Sequence, residues 1–253
     1  MRQYSQIAKV IVVAMLGLTL TAGAGAQDAG SKPDMNGVWL AFATEPPLAR
    51  GAPSPLSENG EKLVSAFYAK YGDRFVEPGG YCVPPGLPAT MTATVGYPIE
   101  IIQSKDRVTM LAEMEMQVRR IFMDGRKVPD DYPTTRMGYS IGHWNGNVLV
   151  INTSLLKESL LRQSPRTENT KILERISLTT RAKVNARQVP FITMKPISDD
   201  VLVDEITTTD PALYQEPQKI TVYYQRIDDN STIEYDCAVD LWEQALEAAA
   251  SGK

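Results

Sequence analysis

The chain has 253 residues, with 26 Lys and Arg against 30 Asp and Glu, a net charge of −4, one histidine and two cysteines. That mildly acidic balance, spread without a basic stripe, argues against nucleic acid and anionic membrane as partners. One His and two distant Cys supply no neighbouring ligand set, so no metal is expected; with no phosphate loop and no dinucleotide fingerprint, no cofactor is expected either.

Residues 1–26 read as a secretory signal peptide. Arg2 and Lys9 supply the positive start, Val10 to Leu20 the apolar run, and Ala24-Gly25-Ala26 the small-residue cleavage site. The stretch is too short for a membrane span, so no membrane insertion is expected once it is removed. This places the mature protein in the periplasm or outside the cell. Residues 27–253 are then a single domain.

Residues 43–55, rich in Pro, Ala and Gly, read as a loop. Ser57 is placed to cap a helix running to Tyr71, with Leu63, Val64, Phe67, Tyr68 and Tyr71 as its apolar stripe. Residues 76–98 carry five prolines and four glycines and form a long irregular segment. Cys82 lies within it. In an oxidising compartment Cys82 and Cys237 default to one disulfide, closing a loop of about 155 residues and worth about 5 kcal/mol in the chain-entropy picture. Two buried free thiols are the alternative.

From Ile99 the pattern becomes β. "IEIIQ" and "VTMLAEMEMQVRRIFM" flank a turn at Ser104 to Arg107, and Asp124-Gly125 marks another. Read as one strand, Val108 to Phe122 puts Val108, Met110, Ala112, Met114, Met116, Val118, Arg120 and Phe122 on one face. Arg120 is the single charge there. The strands "KILERISLTT", "VLVDEITTT" and "KITVYYQRI" follow, and then "IEYDCAV" after a turn at Asp228 to Ser231. Glu174 is the only charge among Ile172, Ile176 and Leu178. Asp204 shares a face with Leu202 and Ile206, and Tyr224 shares one with Ile220 and Val222. A short C-terminal helix is expected over Leu241 to Ala250. Many short strands joined by turns predict a mainly β fold, an antiparallel barrel holding a small pocket.

"GYSIGHWNGNVLVINT", Gly138 to Thr153, contains a G-x-S-x-G string beside His143. A serine hydrolase needs the chain to break from strand into helix at that serine. Here Asn145-Gly146 signals a hairpin and a β-branched strand returns, so the elbow cannot form. With Asn145-Gly146 as the two-residue loop, Trp144 faces Asn147 and His143 faces Val148. One face then holds Tyr139, Ile141, His143, Val148, Val150 and Asn152; the other holds Ser140, Gly142, Trp144, Leu149, Ile151 and Thr153. The Tyr139, His143 and Asn152 face is expected to look inward.

Burying Arg120 or Glu174 alone would cost several kcal/mol, so each needs a partner or a ligand. Either they pair with each other, or Arg120 holds an anionic or phenolic group while Glu174 moves a proton. The enzyme reading is a cofactor-independent lyase or isomerase acting on a small hydrophobic, aromatic molecule. His143, Glu174 and Arg120 would be catalytic, and Tyr139, Asn152 and Tyr224 would bind the substrate. The second reading is a carrier of the same ligand that leaves it unchanged. The third is an envelope protein whose doubly apolar hairpin forms the interface of a homo-oligomer.

Asn36-Gly37-Val38-Trp39 is similar to the G-x-W start of lipocalin-type barrels. Over roughly residues 36–242 the chain resembles a group of secreted bacterial proteins sharing several blocks. They stand here as "YCVPPGLP", "EIIQSKDRV", "VRRIFMDGR", "GYSIGHWNGNVLVINT", "LERI", "TTDPALYQEP" and "IEYDC". His143 and Asn147 stand where that group commonly has Arg and Asp. The resemblance implies a lipocalin-like barrel. It also suggests kinship to cofactor-independent lyases that remove a hydroxymethyl group as formaldehyde from lignin-derived aromatic dimers.

Overall fold

The computed structural model describes residues 32–46, 55–72, 82–92, 97–161, 164–184 and 194–238, together with Asp240, Glu243, Gln244 and Glu247. The signal segment and most of the expected terminal helix lie outside the described residues; the four positions past 238 are helical. Among the described residues no helix is long and apolar enough to cross a membrane.

Nine strands close into a barrel in sequential order. They are β1 (Gly37–Glu45), β2 (Ile99–Gln103), β3 (Arg107–Ala112), β4 (Gln117–Phe122), β5 (Tyr139–Asn145), β6 (Val148–Ser154), β7 (Lys171–Thr180), β8 (Asp200–Thr209) and β9 (Gln218–Ile227). β1 closes the ring by pairing with both β2 and β9. It is buried almost throughout, with Trp39 inside; the Trp39 indole donates to the Met35 carbonyl at 2.9 Å. The fold is mainly β, as expected, and compatible with a lipocalin-like barrel. It is not wholly antiparallel: β4 and β5 run parallel and meet at only two pairs, Ile121 with Ser140 and Phe122 with Ile141. A long polar connection, 123–138, carries the chain back to start β5 beside β4.

Helix α1 (Glu58–Tyr71) forms where the apolar spacing and Ser57 place it, and the Ser57 hydroxyl accepts from the Gly60 amide at 3.0 Å. It packs on the turn after β8, through Val64 against Leu56 and Leu213, and not beneath the β5–β6 hairpin. A one-turn helix, α2 (Ala89–Thr92), is packed into the main core cluster through Met91. Cys82 and Cys237 are joined in a disulfide. Residues 233–238 are not a strand.

Two local features redistribute the faces. The segment Val108 to Phe122 is two strands, not one. Glu115 (φ 57°) and Met116 (φ 46°) take left-handed backbone between them. This turn shifts the alternation by one residue. Val108, Met110 and Ala112 point inward on β3, but on β4 the inward set is Gln117, Arg119 and Ile121. Arg120 therefore faces out, and Arg119 faces in. At the hairpin the turn residues are Gly146 and Asn147, with Asn145 paired to Val148. Moving the turn by one position shifts each facing partner by two, so the two sets of face-sharing residues stay as expected. The inward set is the opposite one. Ser140, Gly142, Leu149, Ile151 and Thr153 are buried, with Trp144 packed on the core, whereas His143 and Asn152 are exposed.

Within the mostly apolar barrel interior, Arg119 gathers a polar cluster. Arg119 on β4 meets Glu174 on β7 through both guanidinium nitrogens: Nη1 donates to Oε1 at 2.7 Å and Nη2 to Oε2. Its Nη2 also donates to Thr153 Oγ1 of β6 at 2.9 Å, and its Nε to Ser140 Oγ of β5 at 3.2 Å. The two hydroxyls bond each other at 2.8 Å. One side chain thus ties four neighbouring strands. Removing one member of a buried pair leaves the other charge unpaired, at a cost of about 3–5 kcal/mol. Arg119→Met should therefore lower the unfolding free energy by about that amount in urea titrations. Arg119→Met combined with Glu174→Leu should recover most of it, and a double variant no better than the single would refute the pairing account.

Candidate functional site

Two places bring chemically active groups together. The first is the barrel interior, where Glu174, Asp204 and Tyr224 all point inward as their strand patterns require. Glu174 is taken up by Arg119. Tyr224 is fully buried and its hydroxyl donates to the Met91 carbonyl at 2.7 Å, tying β9 to α2. Asp204 is fully buried, and neither carboxyl oxygen has a hydrogen-bond partner among the described residues. Burial first, then the nearby Glu174 carboxylate, pushes its pKa well above the usual carboxylate range, against the pull of Arg119. Asp204 therefore holds its proton to higher pH in the folded protein than in the unfolded chain. Burial disfavours the charge on Arg119, but the Glu174 carboxylate outweighs it and holds the guanidinium above its ordinary value.

The second place is a cleft of about 480 Å³ on the outer wall, over the seam where β4 and β5 barely pair. Its floor is the outward face of β4, with Val118, Arg120 and Phe122 at alternate positions. The chain between β4 and β5 supplies Tyr132, Arg136 and the start of β5 at Tyr139. Glu115 and Met116, from the left-handed turn before β4, form one end. Among the described lining residues Glu115 is the only carboxylate.

The aromatic wall is built from sequence-distant rings. Phe122 stacks on Tyr139 with centroids 5.0 Å apart, and Tyr132 meets Tyr139 edge-on at 4.7 Å. The Arg126 guanidinium lies over Phe122 at 4.0 Å and is held there by Asp124, through Nε to Oδ1 at 2.8 Å. That hydrogen bond keeps the Asp124 carboxyl at about 2, below its usual range, and fixes the expected turn at Asp124-Gly125. Tyr139 is only 4% exposed, while Tyr132 is 39% exposed, so part of the aromatic surface remains open. Among the described residues no hydrogen bond or ion pair engages Arg120, which stands in the cleft as an available cation.

Glu115 is held from behind. The Tyr235 hydroxyl bonds Glu115 Oε1 at 3.4 Å, and the Ile233 amide donates to Glu113 Oε2 at 2.9 Å. Both contacts come from the C-terminal segment that Cys237 pins to Cys82, two residues before Pro84 of the cleft rim. Burial raises the Glu115 pKa above its ordinary value, more than the Tyr235 hydrogen bond lowers it.

The residues singled out from sequence are thus divided among three places. Arg120 and Tyr139 share the outer cleft. Glu174 and Tyr224 lie in the barrel interior. His143 and Asn152 are on the exposed outer face of the hairpin and do not line the cleft. His143, Glu174 and Arg120 do not converge on one cavity. Ser140 continues as β5, with its hydroxyl bound to Thr153 and Arg119, so the G-x-S-x-G string does not form a nucleophile elbow. Sequence reasoning missed Arg119 and Glu115, and it missed the part played by Phe122 and Tyr132. Phe122, Tyr132 and Tyr139 are spread over eighteen residues of sequence, so only the fold brings the three rings together. Among the described residues no three His, Cys, Asp or Glu side chains gather to hold a metal ion.

The state of Asp204 has a consequence for pH. In the unfolded chain it ionises near its ordinary value of 3.8, and in the folded chain it stays protonated to higher pH. Between those limits the native state binds the extra proton, so stability falls as pH rises through the window. Asp204→Asn should therefore raise Tm relative to the parent at pH 7.5, with the gain shrinking toward pH 4. Thermal melts followed by circular dichroism at both pH values measure this, and a gain independent of pH would mean that Asp204 does not change protonation on unfolding.

No protein-family profile matches the chain, and no curated protein matches it.

Proposed function

We propose that this is a periplasmic or secreted lipocalin-like protein that binds a small aromatic compound, of the kind released from lignin, in the cleft outside β4 and β5. The observation that carries the reading is the composition of that cleft. Three aromatic rings, the Arg120 guanidinium that no described residue engages, the Arg136 guanidinium and one carboxylate line about 480 Å³. Small-molecule sites have this volume and this mixture of apolar wall and few polar groups. The rings offer flat contact area. Arg120 offers a charge-assisted hydrogen bond to a carboxylate or phenolate. A carrier function fits because His143 and Glu174 stand away from the cleft, so neither can take a proton from a ligand bound there.

The lyase reading survives in one form, favoured by Glu115. A carboxyl of raised pKa beside a bound aromatic ring is a suitable base. It would take the alcohol proton of a CH2OH group as the carbon–carbon bond breaks. Formaldehyde would leave, and the adjacent carbon would keep the electron pair and be protonated in turn.

Arg120→Ala should weaken binding of an aromatic carboxylate by roughly 10- to 100-fold, the worth of one hydrogen bond to a charged group, with no change in Tm. Isothermal calorimetry with cinnamate reads the affinity. Unchanged affinity would remove Arg120 from the site. Mass analysis of lignin-type dimers incubated with the protein separates the two readings: intact compound supports the carrier, and loss of a formaldehyde unit supports the lyase.

A further inference from the structure

Two polar groups of opposite charge line the cleft at separate levels along β4. Arg120 lies on the β4 floor, and Glu115 closes the end five residues earlier in the chain. An extended chain advances about 3.3 Å per residue, so the two backbone positions are at most roughly 16 Å apart. With both side chains reaching inward, the gap suits one aromatic ring bearing a polar group at each end.

Glu115 is not an incidental rim residue. It and Met116 are consecutive non-glycine residues in left-handed backbone, a conformation that side chains other than Asn and Asp seldom adopt. Such a conformation persists only where its surroundings impose it. Here they do so through the Tyr235 hydroxyl behind Glu115, and through the bond from Ile233 to the neighbouring Glu113. The result is a carboxylate at the end of an aromatic-walled cleft, raised in basicity by burial and so a better hydrogen-bond acceptor than a surface glutamate. A carboxylate there repels a second anionic group and rewards an O–H donor. Arg120, on the floor, does the reverse.

Building on the aromatic-binding reading of the cleft, we propose that its ligands are hydroxylated aromatic acids. Arg120 takes the carboxylate, the ring lies over the β4 floor at Val118 beside the aromatic wall, and Glu115 accepts a hydrogen bond from the hydroxyl. A site built around a ligand hydroxyl rejects the analogue that lacks it, because the acceptor is then desolvated without a partner.

Calorimetric titration of the full mature protein at pH 7.5 with 4-hydroxycinnamate, cinnamate and 4-methoxycinnamate tests this. The hydroxy acid should bind at least about tenfold more tightly than either of the others, the low end for a hydrogen bond to a charged group. This comparison needs no variant. Glu115→Gly, which suits the left-handed backbone, should bring the three affinities to within about twofold while cinnamate binding is retained. Equal binding of all three acids by the parent protein, or a preference that survives Glu115→Gly, would overturn the role of Glu115 and leave the aromatic cleft standing. No binding of any of the three would overturn the cleft itself.

Discussion

The ion pair between Arg119 and Glu174 is the constraint on which the barrel depends. The wall is weakest where β4 and β5 run parallel and share two residue pairs. Arg119 crosses that weak seam from inside, binding Ser140 on β5, Thr153 on β6 and Glu174 on β7. A charge inside a barrel is normally a liability. This one is tolerated because nearly every donor of the guanidinium has an acceptor and the carboxylate is met through both oxygens. The apolar ring around it, from Met110 to Ile176, then excludes water from a set of interactions that water would weaken.

The same seam explains where the outer cleft is placed. Because β4 and β5 run parallel, the 123–138 connection must return the chain to the same end of the sheet, and it does so across the outer surface. Doing so, it lays Tyr132 and Tyr139 against Phe122. The disulfide brings in the C-terminal segment, which supports Glu115 from behind. Interior and exterior therefore have different tasks. The interior polar groups are largely consumed by one another, apart from Asp204, whose carboxyl oxygens have no hydrogen-bond partner among the described residues. The exterior cleft keeps an arginine that no protein group engages among the described residues.

Much of the barrel was legible in the residues. β7, β8 and β9 alternate cleanly, so the inward positions of Glu174, Asp204 and Tyr224 follow from a period of two. Ser57 and its apolar spacing marked α1, and the two cysteines marked the disulfide. Two physical features depart from the pattern. "AEMEMQ" contains no Gly, Pro or Asn, the residues that usually announce a left-handed turn. A two-residue left-handed turn inside an apolar run is invisible to periodicity, and it moved Arg120 to the outside. The face of the hairpin was misjudged because its polar groups were given more weight than its bulk. Trp144, Leu149 and Ile151 outweigh Val150 and Ile141. Gly142 was a further clue: a Cβ there would lie 2.6 Å from the Met123 sulfur and 2.8 Å from Ile121.

β4 carries both tasks on adjacent residues. Arg119 braces the staves and Arg120 faces the outer cleft, and only the hand of the backbone at Glu115 and Met116 decides which is which. Insertion or deletion of one residue in that bend would trade the two arginines, undoing architecture and recognition together. Substitution at the outward positions Val118, Arg120 and Phe122, by contrast, leaves the brace untouched. Selectivity in such a barrel is therefore free to drift by point replacement while its reading frame through the bend stays fixed.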